Sequence, residues 1–384
     1  MKKADKRIRE AIIFLVVIFA VFGVLGSRMG MANMLNTIMK TAHDLLLNTC
    51  FYLMGITVIT GALSKLLAEF GVVTLLEKLL RPLMKPLYNL PGVAALGGVM
   101  TFLSDNPAII SLSKDKGFSS YFKKYQLVSL TNFGTAFGMG FVVIISMIGY
   151  GSSYFSGAIV GLCGAIAGSV LSTRLMQKFT LKAYPELDEP VVSEVAQSMM
   201  NSEAAQGADD KKQGTFLRVL NAMLDGGKNG VELGMAIIPG VLIITTLVIL
   251  VTNSAPATGY DGGIGQGVPI LPWLADKIHW VFEWLFGFKH MEFIAFPMTA
   301  LGAVGAALGL VGNFAREGIL DGNAVAVFTA IGMCWSGYLS THAAMLDSLG
   351  YRKLISKAIL AHTFGGLFAG VFAHFLYLLV SVIL

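Results

Sequence analysis

Four residues, Ser104-Asp105-Asn106-Pro107, interrupt an apolar stretch that runs from Leu90 to Leu103 on one side and from Ala108 to Ser111 on the other. Neither arm reaches the about 20 residues a helix needs to cross a bilayer. A carboxylate and an Asn-Pro turn placed in lipid cost several kcal/mol unless they line a protected cavity. The pattern predicts a re-entrant hairpin over 90–113 with a polar tip, the kind of broken element that forms solute sites near the membrane midplane. Asp105 can bind a cationic or hydrogen-bond-donating group of a solute, or titrate with a coupling proton. The plainer alternative has Ser104 and Asp105 capping the second arm through its free N–H groups. The two roles are compatible.

Two further sets of polar residues have helical spacing. Ser129, Asn132 and Thr135 lie three apart on one face of an apolar run over 123–149. They can coordinate a solute, or sodium near Ser129 and Asn132, or they can serve as polar packing between helices. Ser336 and Ser340 are i,i+4 on a run over 321–346, with Thr329 a turn or two back. Trp335, Tyr338 and His342 add either a stacking surface for a ring or interface anchors, with His342 solvated near the helix end. His362 and His374, in an apolar last helix, read as satisfied packing histidines, and Asp347 as a helix-end residue.

The elements that position these residues follow from composition. Hydrophobic residues make up 55% of the chain and charged ones 13%, the balance of an integral membrane protein. Cys50, Cys163 and Cys334 sit in apolar stretches with no CxxC pair or Cys/His spacing, so disulfides and zinc are not expected. No P-loop, nucleophile elbow, HExxH or paired catalytic carboxylates occur, which argues against an enzyme and against ATP as an energy source. No cofactor other than a coupling ion, sodium or a proton, is expected. The basic residues flank apolar runs, so the net charge of +5 does not point to nucleic acid.

Spanning helices are expected at 10–27, 43–66, 123–149, 153–177, 228–252, 321–346 and 354–383. The run from Ala11 to Leu25 lacks a clean cleavage pattern and reads as a retained helix. Residues 72–87 and 273–286 are amphipathic and suit the interface, with Glu77, Lys78, Arg81 and Lys85 opposite the leucines of the first. A second re-entrant hairpin is expected at 292–316. With the N-terminus inside, Lys and Arg cluster at 1–10, 65–85, 114–124, 174–228 and 352–357, all on the cytoplasmic side. Of the 28, only Arg28, Lys40, Lys277, Lys289 and Arg316 fall elsewhere.

The layout repeats. Helix, interfacial helix, hairpin, helix, helix occurs over 43–177 and again over 228–384, with Pro91…Ala95-Leu96-Gly97 matching Pro297…Ala300-Leu301-Gly302 and Gly134 matching Gly337. Three spans per unit is an odd number, so the second unit is inverted and the hairpins meet from opposite faces. Residues 1–42 form an N-terminal scaffold helix. The polar stretch 178–227 is a cytoplasmic linker, in which Thr215 to Leu224 can form a short interfacial helix. The expected fold is therefore all-α and integral to the membrane, with inverted repeats of three spans plus one N-terminal helix. The C-terminus lies outside a cytoplasmic (inner) membrane of bacterial type.

These residues resemble the concentrative nucleoside transporter fold and its relatives, the nucleoside-recognition Gate membrane proteins of the YjiH-like group. The order of elements matches over 43–384. Asn221-Ala222…Gly226…Gly230…Leu233 looks like the entry into the helix between the hairpins. Ser104-Asp105-Asn106-Pro107 looks like the Thr-Glu-Ala-Pro tip, Thr135 and Gly138 like the Thr-x-x-Gly of the next helix. Thr329, Trp335 and Ser340 fit the penultimate helix, and Ala361-His-Thr363 the last. In the register the repeat imposes, the ribose-binding Glu falls on Asn313 and the ribose-binding Asn on Gly337, while Leu103 replaces the family's Gln. Met291-Glu-Phe-Ile-Ala-Phe296 imitates the Asn-Glu-Phe motif but precedes Pro297, at the start of the hairpin. The resemblance implies a secondary transporter of a small polar solute, nucleoside-like, bound by Ser104, Asp105, Asn106, Asn132, Thr135, Asn313, Ser336 and Ser340. A small amine or zwitterion, or a non-transporting recognition or assembly component, are the alternatives on the same fold. The expected partners are the solute, the bilayer and further copies of the chain.

Overall fold

A computed structural model describes residues 2–191 and 214–383; residues 192–213, most of the expected linker core, lie outside the described residues. Among the described residues there are helices and no β-strand. Seven helices are long and apolar enough to cross a membrane, at Lys6–Met29, Met31–Glu69, Lys124–Gly149, Ser152–Ala183, Thr215–Thr252, Gly322–Ser348 and Arg352–Val382. Each expected span lies within one of them to within a residue or two at its ends.

The first helix, α1 (Lys2–Met29), ends at Gly30, whose φ of 81° turns the chain into α2 (Met31–Asp44). The helix α2 was not expected from the sequence. It carries the 253–270 loop: Asn33 donates to the Tyr260 carbonyl at 2.9 Å, and Thr41 Oγ1 accepts from the Gly265 N–H at 2.9 Å. A π-helical segment, Leu45–Cys50, joins α2 to α3 (Phe51–Glu69).

The interfacial helix α4 (Val72–Leu83) differs from its expected facing. Glu77 is buried and pairs with Arg81 at 2.7 Å, whereas Leu75, Leu79 and Leu83 are exposed. Lipid, not water, covers the outer face of such a helix, so leucines point outward and the paired carboxylate turns in. The hairpin follows as α5 (Ala94–Leu103) and α6 (Pro107–Lys114), then the short α7 (Lys116–Ser119).

The next span is broken into α8 (Lys124–Thr135) and α9 (Gly140–Gly149), with Met139 at φ 54° between them. Then α10 (Phe155–Ala183) runs past the expected end at 177. Beyond the linker, α11 (Thr215–Gly240) is continuous with the span, so Thr215 to Leu224 is its first turns and not a separate helix; a π-helical segment, Val241–Thr245, connects it to α12 (Thr246–Thr252). The second amphipathic stretch splits into α13 (Ile270–Asp276) and α14 (His279–Phe286), with Trp273, Trp280 and Trp284 exposed as interface anchors. The second hairpin is α15 (Ala295–Ala300) and α16 (Val304–Arg316). A second broken span, α17 (Gly322–Cys334) and α18 (Tyr338–Ser348), hinges at Gly337, and α19 (Ile355–Ile383) ends the fold.

Two helix assemblies result. In one, α3 crosses α11 at backbone contact: the glycines Gly61, Gly226 and Gly230 leave no room for a Cβ, and Thr57 Oγ1 donates to the Gly230 carbonyl at 2.7 Å. In the other, α10 packs on α17 and α19 through Gly157, Gly161, Gly164, Gly168 and Gly365. Small residues permit this because, in lipid, helix association depends on close packing and not on hydrophobic burial. The two broken spans are the most enclosed, 89% and 83% buried over their apolar windows, against 33% for the Met31–Glu69 span.

Candidate functional site

Three chain breaks converge beneath the first hairpin. At its tip Asn106 is 4% exposed, and its Nδ2 donates to the Ser336 carbonyl at 3.1 Å and to Ser336 Oγ at 3.4 Å. Its amide lies against both hinges: a Cβ on Gly138, or on Gly337 at φ 63°, would strike it. The tip is therefore a wedge held between the break of α8/α9 and the break of α17/α18. Asn106 and Thr341 fill the space beside Gly337. Asn106 Oδ1 is buried with no partner among the described residues.

Asp105 turns the other way. Its Oδ1 is also buried without a partner, and it does not cap α6; Ser104 Oγ donates instead to the Met100 carbonyl at 2.7 Å. Asp105, Ser104, Leu103 and Met100 form one wall of a cleft of about 370 Å³. The facing wall comes from α3 and α11, with Thr57, Thr60, Ser64, Asn229 and Leu233. This volume is within the range of small-molecule sites. The hydroxyls of Thr57 and Thr60 donate to main-chain carbonyls, while Ser64 Oγ is buried with no partner among the described residues. The sequence pattern did not single out this wall, because Thr and Ser in a membrane helix read as packing.

The other expected residues separate. Ser336 joins the tip through Asn106. Ser340 is on the exposed side of α18, donating weakly to the Gly337 carbonyl at 3.5 Å. Thr135 is buried and donates to the Thr131 carbonyl at 2.6 Å. Asn132 Nδ2 reaches Ser172 Oγ at 3.0 Å and the Ala358 carbonyl at 2.9 Å, and Ser129 accepts from Gln177 at 3.2 Å. Asn132 thus faces α10 and α19, and Ser129 faces α10, in polar packing. Of these two side chains, Asn132 keeps one buried oxygen, Oδ1, with no partner among the described residues.

Asn313 is not at a hairpin tip. The second tip is Leu301-Gly302-Ala303, which has no polar side chain, and the first arm is shorter than the repeat implied. Asn313 sits near the far end of α16, where it accepts from Arg316, and Arg316 reaches Asp44 at 3.5 Å. Met291-Glu-Phe-Ile294 opens the hairpin as a single 3₁₀ turn, away from the tip.

His342 is fully buried, not solvated. Its ring lies 4.6 Å from that of His362, and its Nδ1 meets the Tyr338 carbonyl. His362 Nε2 donates to the Cys334 carbonyl, which makes its Nδ1 the acceptor of the Ser172 hydroxyl at 2.8 Å. Trp335 donates to the His362 carbonyl at 3.2 Å. Trp335, Tyr338 and His342 are thus part of an internal network, neither a free stacking surface nor interface anchors. His374 is satisfied by Asn323 at 2.8 Å, as expected.

Comparison with known proteins adds three findings. Residues 50–151 match the family model Gate, described as nucleoside recognition. An uncharacterized protein of Alkalihalophilus pseudofirmus is 22% identical over 196 residues, 50% of this chain and 42% of that protein, so the chain spans less than half the relative's length. Among solved structures, CNTnw in an inward-facing substrate-bound state aligns with a TM-score of 0.52 at 14% identity over 97% of this chain and 87% of that one. A doubly substituted CNTnw in an outward-facing state aligns with a TM-score of 0.51 at 15% identity, covering 97% and 86%. The chain accordingly has the fold of the concentrative nucleoside transporters, and its residues 50–151, the stretch that contains the Asp105 hairpin and the first broken helix, match the Gate family model.

Proposed function

We propose that the chain is a secondary transporter of a small polar organic solute, nucleoside-like in the first instance, driven by a sodium or proton gradient. The carrying observation is the division of labour at the hairpin tip. Asn106 locks the tip to the two broken helices, while Asp105 faces a cleft whose other wall is a separate helix pair, α3 and α11. In this reading the hairpins, the broken helices, α10 and α19 move as one body against α1, α3, α11 and the interfacial helices. Movement across the cleft exposes Asp105 to each side in turn. The two repeats are inverted, the N-terminus and the 178–227 linker cytoplasmic, and the C-terminus outside.

A second reading keeps the fold and changes the solute to a small amine or zwitterion. The apolar tip Leu301-Gly302-Ala303 and the remote Asn313 favour it, since neither offers a contact to ribose hydroxyls near Asp105. The test is uptake into proteoliposomes of labelled nucleosides, bases, amines and amino acids, with and without sodium and pH gradients. Gradient-dependent uptake of a solute supports the transporter. Uptake of none, with no thermal shift from any, supports a recognition or assembly component instead.

A further inference from the structure

Two charged side chains line the cleft, Asp105 from the hairpin and Lys65 from α3, and the other lining residues are neutral. No ion pair joins them to each other or to any other group among the described residues. Arg81, Arg218 and Lys123, from other parts of the chain, each have a carboxylate within 3 Å. Lys65 is exposed and lies where α3 crosses α11, its Cβ against Gly226; a larger residue there would collide with it. Asp105 is at the inner end, with Oδ1 unpartnered, and Ser64, the neighbour of Lys65, contributes a second buried oxygen with no partner. The cleft therefore offers an acceptor carboxylate within, a donor ammonium toward its mouth and a free hydroxyl on the same wall as the ammonium. A neutral solute leaves both charges uncompensated as the cleft closes. A monocation compensates one.

We propose that this cleft is a two-point site for a small zwitterion, with the ammonium group on Asp105 and the anionic end on Lys65 and Ser64. The assignment rests on the transporter reading only for its consequence, movement of the zwitterion; the binding chemistry stands on the cleft itself. Charge-assisted bonds at both ends are stronger than neutral ones and fix the orientation. They also distinguish a zwitterion from an amine or a carboxylate of equal size, because an amine leaves the Lys65 ammonium without its charge-assisted partner and a carboxylate leaves Asp105 unpaired.

The experiment is ligand-induced thermal stabilisation and calorimetric titration of the detergent-purified full chain. The probes are α-amino acids, longer ω-amino acids, the matching amines and carboxylates, and nucleosides. The expected result is that a zwitterion binds at least about tenfold more tightly than its matching amine or carboxylate. Lys65→Gln should erase that advantage over the amine, Lys65→Arg should restore it, and Asp105→Asn should lose both zwitterion and amine. A nucleoside that binds more tightly than every zwitterion, or zwitterion binding indifferent to Lys65→Gln, overturns the proposal, as does the absence of binding by any zwitterion from a monodisperse preparation. Should zwitterions bind but fail to enter proteoliposomes under any gradient, the site stands and the transporter reading falls. Should nucleosides enter and zwitterions neither bind nor enter, the reverse holds.

Discussion

Asn106 on the first hairpin donates to the backbone carbonyl of Ser336, 230 positions later, at the hinge of the second broken helix. One side chain therefore ties together the tip of 90–113, the α8/α9 break at Gly138 and the α17/α18 break at Gly337. A helix break leaves main-chain groups unpaired, and in a membrane interior each must find a partner inside the protein. Asn106 supplies one for Ser336.

That packing gives the first prediction. Gly138→Ala places a methyl group on the Asn106 amide and should destabilise the protein by about 1–3 kcal/mol, the usual cost of overpacking. Combining it with Asn106→Ala should recover part of the loss. Thermal midpoints of the two single variants and the double variant form the cycle. Strictly additive losses would mean that the two residues do not press on each other.

Asp105→Asn removes charge and little volume. Uptake of the natural solute should fall by more than about tenfold, or about 1.4 kcal/mol in affinity. Elution profile and melting temperature should stay near the parent's, because Asp105 forms no ion pair among the described residues, its Oδ1 is unpartnered, and an amide oxygen can still accept from the Asn106 N–H. Unchanged uptake would reduce Asp105 to a turn residue.

The buried histidines predict a different behaviour. His362→Leu strips partners from Ser172 and from the Cys334 carbonyl, and indirectly loosens Asn132, which donates to Ser172. Each buried group left unpaired costs about 1–3 kcal/mol, so the loss should reach about 2–4 kcal/mol in all. A variant that melts as late as the parent would show that the network contributes nothing net.

How much of this was legible in the residues depends on whether they carried a signal of their own. The spans were visible because apolar runs of bilayer length have few alternatives. The first hairpin was visible because Asp105-Asn106-Pro107 breaks such a run. The second tip was not: Leu301-Gly302-Ala303 is as apolar as its arms, so the repeat register slid and put Asn313 in a slot it does not occupy. Lys65 was read as one more basic residue on the cytoplasmic side, since its place on the cleft depends on where α11 crosses α3. The burial of His342 likewise depends on α19 closing over α18. Glu77 was misplaced because amphipathic patterns tell which residues segregate but not which side meets lipid.

Topology follows from the distribution of Lys and Arg. In a background without Cys50, Cys163 and Cys334, a single cysteine placed in 192–213 should react with a membrane-impermeant maleimide only after cells are opened. One placed after Ser381 should react in intact cells. Labelling of the linker from outside would overturn the inverted arrangement.

The last prediction concerns two levels of one long helix. In Met31–Glu69, Asp44 closes α2 and Lys65 lies near the far end of α3, about 30 Å further on at 1.5 Å per residue, which matches the thickness of the hydrocarbon core. The Asp44 end is strapped: Asp44 pairs with Arg316 of the second hairpin at 3.5 Å and accepts from Asn48 at 2.6 Å, and the Tyr52 ring meets that of Tyr150 at a tilt with centroids 5.8 Å apart. The Lys65 end borders the cleft. A strap at one end with a cleft at the other is the asymmetry that alternating access requires. Exposed ion pairs are worth about 0–1 kcal/mol, enough to shift two states of similar energy several-fold. Arg316→Gln should therefore raise the population open at the Asp44 end. Cys50, fully buried two residues beyond Asn48, reports it. In a variant without Cys163 and Cys334, Cys50 should react several-fold faster with maleimide added from outside when Arg316 is replaced, and bound solute should modulate that rate. Equal rates with and without Arg316 would remove the strap from the mechanism and leave it a surface pair.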